Sequence, residues 1–143
     1  MGSQTQLSGD DKTIILVVDR NSHICELESH FLNKAGYVVE FEQSGDSVVE
    51  HALKLHPEII ITEILVPGVD GLALCRQLKG DPRTRDIAVL IFSTLAAVVR
   101  AKEAGADAFL LKPLAEDALV ATVRQVLEAR RERLRSTQHE QRS

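Results

Sequence analysis

Five times along this chain a short run of β-branched and aliphatic residues gives way to a stretch whose apolar positions recur at helical spacing. The strand-like runs are Thr13–Asp19 (TIILVVD), Tyr37–Phe41, Glu58–Glu63 (EIIITE), Ile87–Phe92 and Ala108–Leu111. Nearly unbroken apolar runs of this kind suit strands buried on both faces. Ser22 is expected to cap the first helix, with Ile24, Leu27, Phe31 and Ala35 on its inward face and Gly36 closing it. Ser44 is expected to open the second, with Val48, Val49, Ala52, Leu53 and Leu55 inward. The third follows a loop with Pro67, Gly68 and Gly71 and carries Leu72, Leu74, Cys75 and Leu78. The fourth is expected over Leu95–Ala104, and the fifth from Ala115 with Leu119, Val123, Val126 and Leu127 inward. Strict alternation of this sort requires right-handed crossovers, and so a doubly wound α/β domain with a parallel sheet covered on both faces. One domain is expected over residues 13–128. Residues 1–12 are polar and expected to be disordered, and 129–143 form a basic helical extension or linker tail.

Composition narrows the chemistry. Aromatic residues make up only 3% of the chain, so the core must be aliphatic. The formal net charge of −4 gives no whole-molecule attraction to nucleic acid or to an anionic membrane. The basic tail, with the RRERLR run at Arg130–Arg135, reads as a solvated helix extension. Cys25 and Cys75 lie among apolar neighbours in helical patterns and read as small core residues. No apolar stretch is long enough to span a bilayer and the first residues lack a signal-peptide core, so the expected compartment is the cytoplasm. The histidines, at 23, 30, 51, 56 and 139, have no metal-ligand spacing.

Parallel α/β sheets place their working groups at the carboxyl ends of the strands. In this chain those ends carry Asp19-Arg20, Glu63, Ser93-Thr94 and Lys112-Pro113. Taken singly, Asp19 and Ser93 read as helix caps and Lys112 as a solvated lysine. Two acids, a hydroxyl and an ammonium on four strand ends together point to a shared pocket.

At these residues the chain resembles the receiver domains of two-component response regulators, over about residues 13–128. ILVVD (Ile15–Asp19), PEIIITEILVPGVDG (Pro57–Gly71), LKGDPRTRDIAVLIFST (Leu78–Thr94) and GADAFLLKP (Gly105–Pro113) resemble that family's motifs in order. The resemblance implies a flavodoxin-like (βα)5 fold with strand order 2-1-3-4-5. It also implies roles. Asp19 matches the first residue of the acidic pair that holds Mg²⁺, and Glu63 stands where the family has its phosphoacceptor aspartate. Ser93 matches the hydroxyl that senses the phosphoryl group, Phe109 the switch aromatic, and Lys112 the lysine that binds phosphoryl oxygens. The Lys112-Pro113 bond resembles one that is cis in the family. The stretch from Ser93 to Lys112 is about three residues shorter than the family's.

Two departures alter the implied chemistry. Arg20 falls where the second metal-binding acid belongs. A unit charge about 4 Å from a dication costs roughly 8 kcal/mol at an effective dielectric near 20. Even an arginine swung into solvent leaves the ion one ligand short, so the Mg²⁺ site at Asp19 and Glu63 is degenerate and no cofactor is expected unless that site still binds. Glu63 is one methylene longer than aspartate, and a misplacement of about 1 Å can cost on the order of 100-fold in rate. The longer carboxylate is expected to stand near the place of a phosphoryl oxygen and pair with Lys112 or Arg20. Arg20, nearer and capable of bidentate pairing, is the expected partner, which would leave Ser93 unengaged and Phe109 facing solvent.

The expected function is therefore a phosphorylation-independent signalling module, not an enzyme. It would dock a protein partner or a second copy through its fourth helix, fifth strand and fifth helix, about Val98 to Leu127. The alternative is a conventional phosphorylatable receiver using Mg²⁺ and a phosphohistidine donor. A flavodoxin-like redox protein is excluded, because DRNSHIC follows strand one where a phosphate-binding loop would stand. No helix-turn-helix follows residue 128, so this domain is not expected to bind nucleic acid.

Overall fold

The structure, a computed structural model, describes residues 12–142. The strands are β1 (Ile14–Val18), β2 (Val38–Glu42), β3 (Ile59–Thr62), β4 (Ala88–Ser93) and β5 (Ala108–Leu111). They form one five-stranded sheet in the order β2-β1-β3-β4-β5, with every neighbouring pair parallel. The helices between and after them are α1 (Ser22–Lys34), α2 (Val48–Leu55), α3 (Gly71–Gly80), α4 (Val98–Glu103) and α5 (Glu116–Arg142). The alternation read from the sequence, and the strand order implied by its motifs, are both present.

Period-two alternation of the central strands builds two aliphatic layers. Leu16, Val18, Ile60, Val89 and Ile91 face one side, where α2, α3 and α4 add Val48, Ala52, Leu72, Cys75, Leu78 and Ala101. Ile15, Val17, Ile59, Ile61, Leu90 and Phe92 face the other, covered by α1 and α5 through Cys25, Leu32, Leu119, Val123 and Leu127. Fully burying each large aliphatic side chain contributes roughly 1.5–3 kcal/mol, and β1, β3 and β4 are buried along nearly their whole length. Both cysteines are buried within these layers, as their apolar surroundings predicted.

The helices differ from the expected ones in instructive ways. Asn21, not Ser22, caps α1: its side-chain oxygen accepts from the backbone N–H groups of His23 and Ile24 at 2.9 and 3.2 Å. The inward stripe of α1 is Cys25, Glu28 and Leu32, while Leu27 is 42% exposed. A pattern drawn through apolar residues alone passes over the buried glutamate and rotates the helix by part of a turn. Helix α2 starts at Val48, because residues 44–47 form turns instead of the first helical turn. Helix α4 has only six residues, and Leu95 lies in the loop before it. No side chain caps its first turn, so nothing local extends the helix back toward Leu95.

Helix α5 continues without a break to Arg142. Its arginines do more than solvate it. Arg130 donates from Nε to the Asp86 carbonyl at 2.8 Å, and Arg131 reaches Thr13 Oγ1 at 3.1 Å. Both also lie near the Glu58 carboxylate, at 3.6 and 3.5 Å, which fastens the helix to the amino end of the sheet. The expected N-terminal disorder concerns residues outside the described range except for Lys12. No helix among the described residues is long and apolar enough to cross a membrane.

Candidate functional site

The same alternation that fills the core aims the polar groups at the strand ends. Continued one step past β1, β3 and β5, it brings Asp19, Glu63 and Lys112 to the α1/α5 side of the sheet. Ser93, the last residue of β4, follows Val89 and Ile91 on the opposite side. The four meet at the carboxyl edge. Lys112 Nζ lies 2.7 Å from Asp19 Oδ2 and 3.1 Å from Glu63 Oε1. Asp19, Glu63 and Ser93 are all buried, at 2%, 5% and 0% exposure. The lysine ammonium also sits 5.5 Å from the centre of the Phe92 ring, within cation–π range.

Glu63 is the hub. Its Oε2 accepts from Ser93 Oγ, from Ile64 N at 2.7 Å and from Leu65 N at 3.4 Å. Its Oε1 faces Lys112 Nζ and accepts from Thr94 N at 3.3 Å. Burial pulls the Glu63 carboxyl toward a higher pKa. The Ser93 and Lys112 hydrogen bonds overcome this and hold it below the usual carboxylate range. Lys112 responds in the complementary sense. Burial disfavours its charge, but its hydrogen bonds to Asp19 and Glu63 raise its pKa above the ordinary lysine value. Glu63 and Lys112 therefore favour each other's charged form, with the Asp19 carboxyl on the ammonium's other side.

Ser93 links this cluster to the shortened loop before α4. It donates to Glu63 and accepts from Leu95 N at 3.1 Å. Phe109, opposite Ile91 on β4, is half-buried and packs into the layer beneath α4. The expected Glu63–Arg20 pair does not form. The Arg20 side chain points outward and is exposed, and its carbonyl accepts from Gln43 Nε2 at 3.3 Å. The reason is geometric: Asp19 Oδ1 accepts from Asn21 N at 2.9 Å, which turns the chain into α1 and carries residue 20 away from the pocket. With Lys112 already between the two acids, Ser93 is engaged, which reverses the expected arrangement at that residue. Phe109 is partly buried, between the solvent-facing position expected and a fully inward one.

Gly71 explains how α3 can start so close to this hub. A Cβ there would overlap the Glu63 carbonyl oxygen, so only glycine fits. The Lys112-Pro113 peptide is cis, as the motif implied.

The donor set does not suit Mg²⁺, which asks for oxygen ligands in octahedral array from carboxylates and waters. Both carboxylates are held by the Lys112 ammonium, and the position of a second acid carries an exposed arginine. Sequence reasoning missed the backbone donors at Ile64, Leu65 and Thr94, which leave no residue-level signal. It also missed Glu28, 1% exposed on the inner face of α1. An acid three residues after Cys25 and four before Leu32 was the available sign.

Comparison with known proteins places these features in a setting. The profile of the response regulator receiver domain matches residues 15–124. The chain is 34% identical over 116 residues to a DNA-binding dual master transcriptional regulator, RpaA, of Synechocystis sp., covering 79% of this chain and 48% of that protein. It is 34% identical to the response regulator PleD of Caulobacter vibrioides, covering 78% of this chain and 25% of PleD. It thus spans about half or less of these relatives. Among solved structures, a putative response regulator from Chloroflexus aurantiacus superposes with a TM-score of 0.78 at 30% identity, covering 82% of this chain and 98% of that one. The receiver domain of a histidine kinase from Syntrophus aciditrophicus superposes at 0.76 with 36% identity, covering 82% and 91%.

Proposed function

This chain belongs to the response-regulator receiver family, and we propose that within it the domain is a protein-docking module whose state is set by Glu63 instead of by phosphorylation. One observation carries the reading: the Glu63 carboxylate holds Ser93 Oγ, Lys112 Nζ and the Thr94 amide at once. In the family these positions respond to the phosphoryl group, so a carboxylate that engages them stands in for it. Charge-assisted hydrogen bonds of this kind are about twice as strong as neutral ones. A two-state domain whose states differ by a few kcal/mol is biased by one such interaction. Phe109, partly buried against the layer under α4, is compatible with that bias.

On this reading the domain performs no phosphoryl transfer and needs no metal. Its output is a contact with another protein or a second copy of itself. Val98 and Val99 on α4, Leu111 on β5 and Leu95 in the loop before α4, each 38–68% exposed, supply the apolar part of that contact. Incubation with acetyl phosphate and Mg²⁺, followed by intact mass measurement, tests the proposal. The expected result is no gain of a phosphoryl group. A stoichiometric gain mapped to Glu63 would restore the conventional reading.

A further inference from the structure

Glu28 occupies a core position on α1, between the buried Cys25 and Leu32. It is 1% exposed, and its Oε1 has no hydrogen-bond partner among the described residues. An isolated ionised carboxylate in such a place is strongly disfavoured, whereas a neutral carboxylic acid is tolerated. The nearest ammonium is no remedy, because Lys112 already serves Asp19 and Glu63. We propose that Glu28 carries its proton at neutral pH and acts as a pH-sensitive element beneath the pocket, its ionisation loosening α1 from the sheet.

The surroundings explain the direction. Burial, and after it the charge of Asp19, push the Glu28 carboxyl up to about 8; Lys112 opposes them and Glu63 adds to them. These groups sit at the carboxyl ends of β1, β5 and β3. On α1 itself the Cys25 thiol is pushed up to about 12, by burial first and then by Asp19 and Glu28. The facing residues of α5 and β2 in this layer, Leu119, Val123, Leu127 and Val39, are apolar, with Tyr37 just before β2 at its far end.

The consequence follows from proton linkage. An unfolded glutamate releases its proton near 4.5, while the folded one retains it up to about 8. Between those values the folded state binds one more proton, so its advantage falls by about tenfold per pH unit. The contribution of the neutral acid is complete below the lower value and lost as pH rises through the upper one. Urea denaturation of the full chain and of Glu28→Gln at pH 5, 6, 7 and 8 reads this directly. The parent's unfolding constant should climb relative to the variant's by roughly tenfold for each unit. Glu28→Met provides the same comparison if the glutamine variant does not fold. Carboxyl-carbon NMR should show the Glu28 side chain titrating on the alkaline side of neutrality. Parallel pH profiles for parent and variants, or a Glu28 carbon titrating in the ordinary carboxylate range, would overturn the proposal.

Discussion

Replacing Lys112 with methionine is expected to destabilise the domain by about 3–5 kcal/mol at pH 7, the usual cost of leaving buried charges without their partner. Lys112 is the ammonium that Asp19 and Glu63 share, with side-chain exposures of 11%, 4% and 6%. Methionine preserves most of the aliphatic stem, so packing changes little. The loss should also depend on pH in a defined sense. In the parent the folded Glu63 carboxyl lies below its unfolded value, so its stabilisation is complete above about pH 4.5 and drains away as pH falls through the folded value. In the variant the Ser93 and Ile64 hydrogen bonds remain but the ammonium does not, so the folded Glu63 value rises relative to the parent's and that part of the stabilisation is lost. The gap between the two proteins should therefore be widest near neutrality and narrow toward pH 4. Urea titrations at the two pH values measure it, and a gap below about 1 kcal/mol at pH 7 would mean the cluster is not electrostatically held.

The second large effect is a gain. Arg20→Asp combined with Glu63→Asp should strengthen Mg²⁺ binding over the parent, on the order of tenfold to a hundredfold. Aspartate at 63 withdraws the carboxylate by one methylene from Ser93 and Lys112. Aspartate at 20 supplies the missing acid, while Asp19, Ser93 and Lys112 stay where the fold already puts them. The arginine itself need not repel the ion strongly, because it is exposed and therefore screened. Absence of the second carboxylate ligand weakens the site more than the arginine's charge does. Calorimetric titration of the double variant against the parent is the measurement, and equal affinities would mean that the pocket differs from a metal site at more than these two positions.

Much of this was legible in the sequence because the signals were periodic. The unbroken apolar runs of β1, β3 and β4 specified a buried parallel sheet, and the residues just past each run named Asp19, Glu63, Ser93 and Lys112. Pairing within the pocket was less legible. Choosing between Arg20 and Lys112 for Glu63 depends on which way the chain leaves β1, and that direction is set by a hydrogen bond from the Asn21 backbone to Asp19. Glu28 escaped for a different reason. A hydrophobic pattern treats an acid as an outward residue, so it cannot register a carboxyl kept neutral in the core. The short α4 was also hidden, since Leu95 and Ala97 extend an apolar pattern that the loop, tied to Ser93 through Leu95 N, interrupts.

If the Glu63 carboxylate fills the place of a phosphoryl group, that place is closed to a phosphoryl analogue. An amide-resolved NMR titration with beryllium fluoride and Mg²⁺, run on the parent and on the Arg20→Asp, Glu63→Asp variant, addresses this directly. In the parent no change is expected at the Ile64, Thr94 and Lys112 amides, whereas the variant should show saturable shifts at the same amides. Saturable shifts at those three amides in the parent would contradict a Glu63 carboxylate that stands in for phosphate.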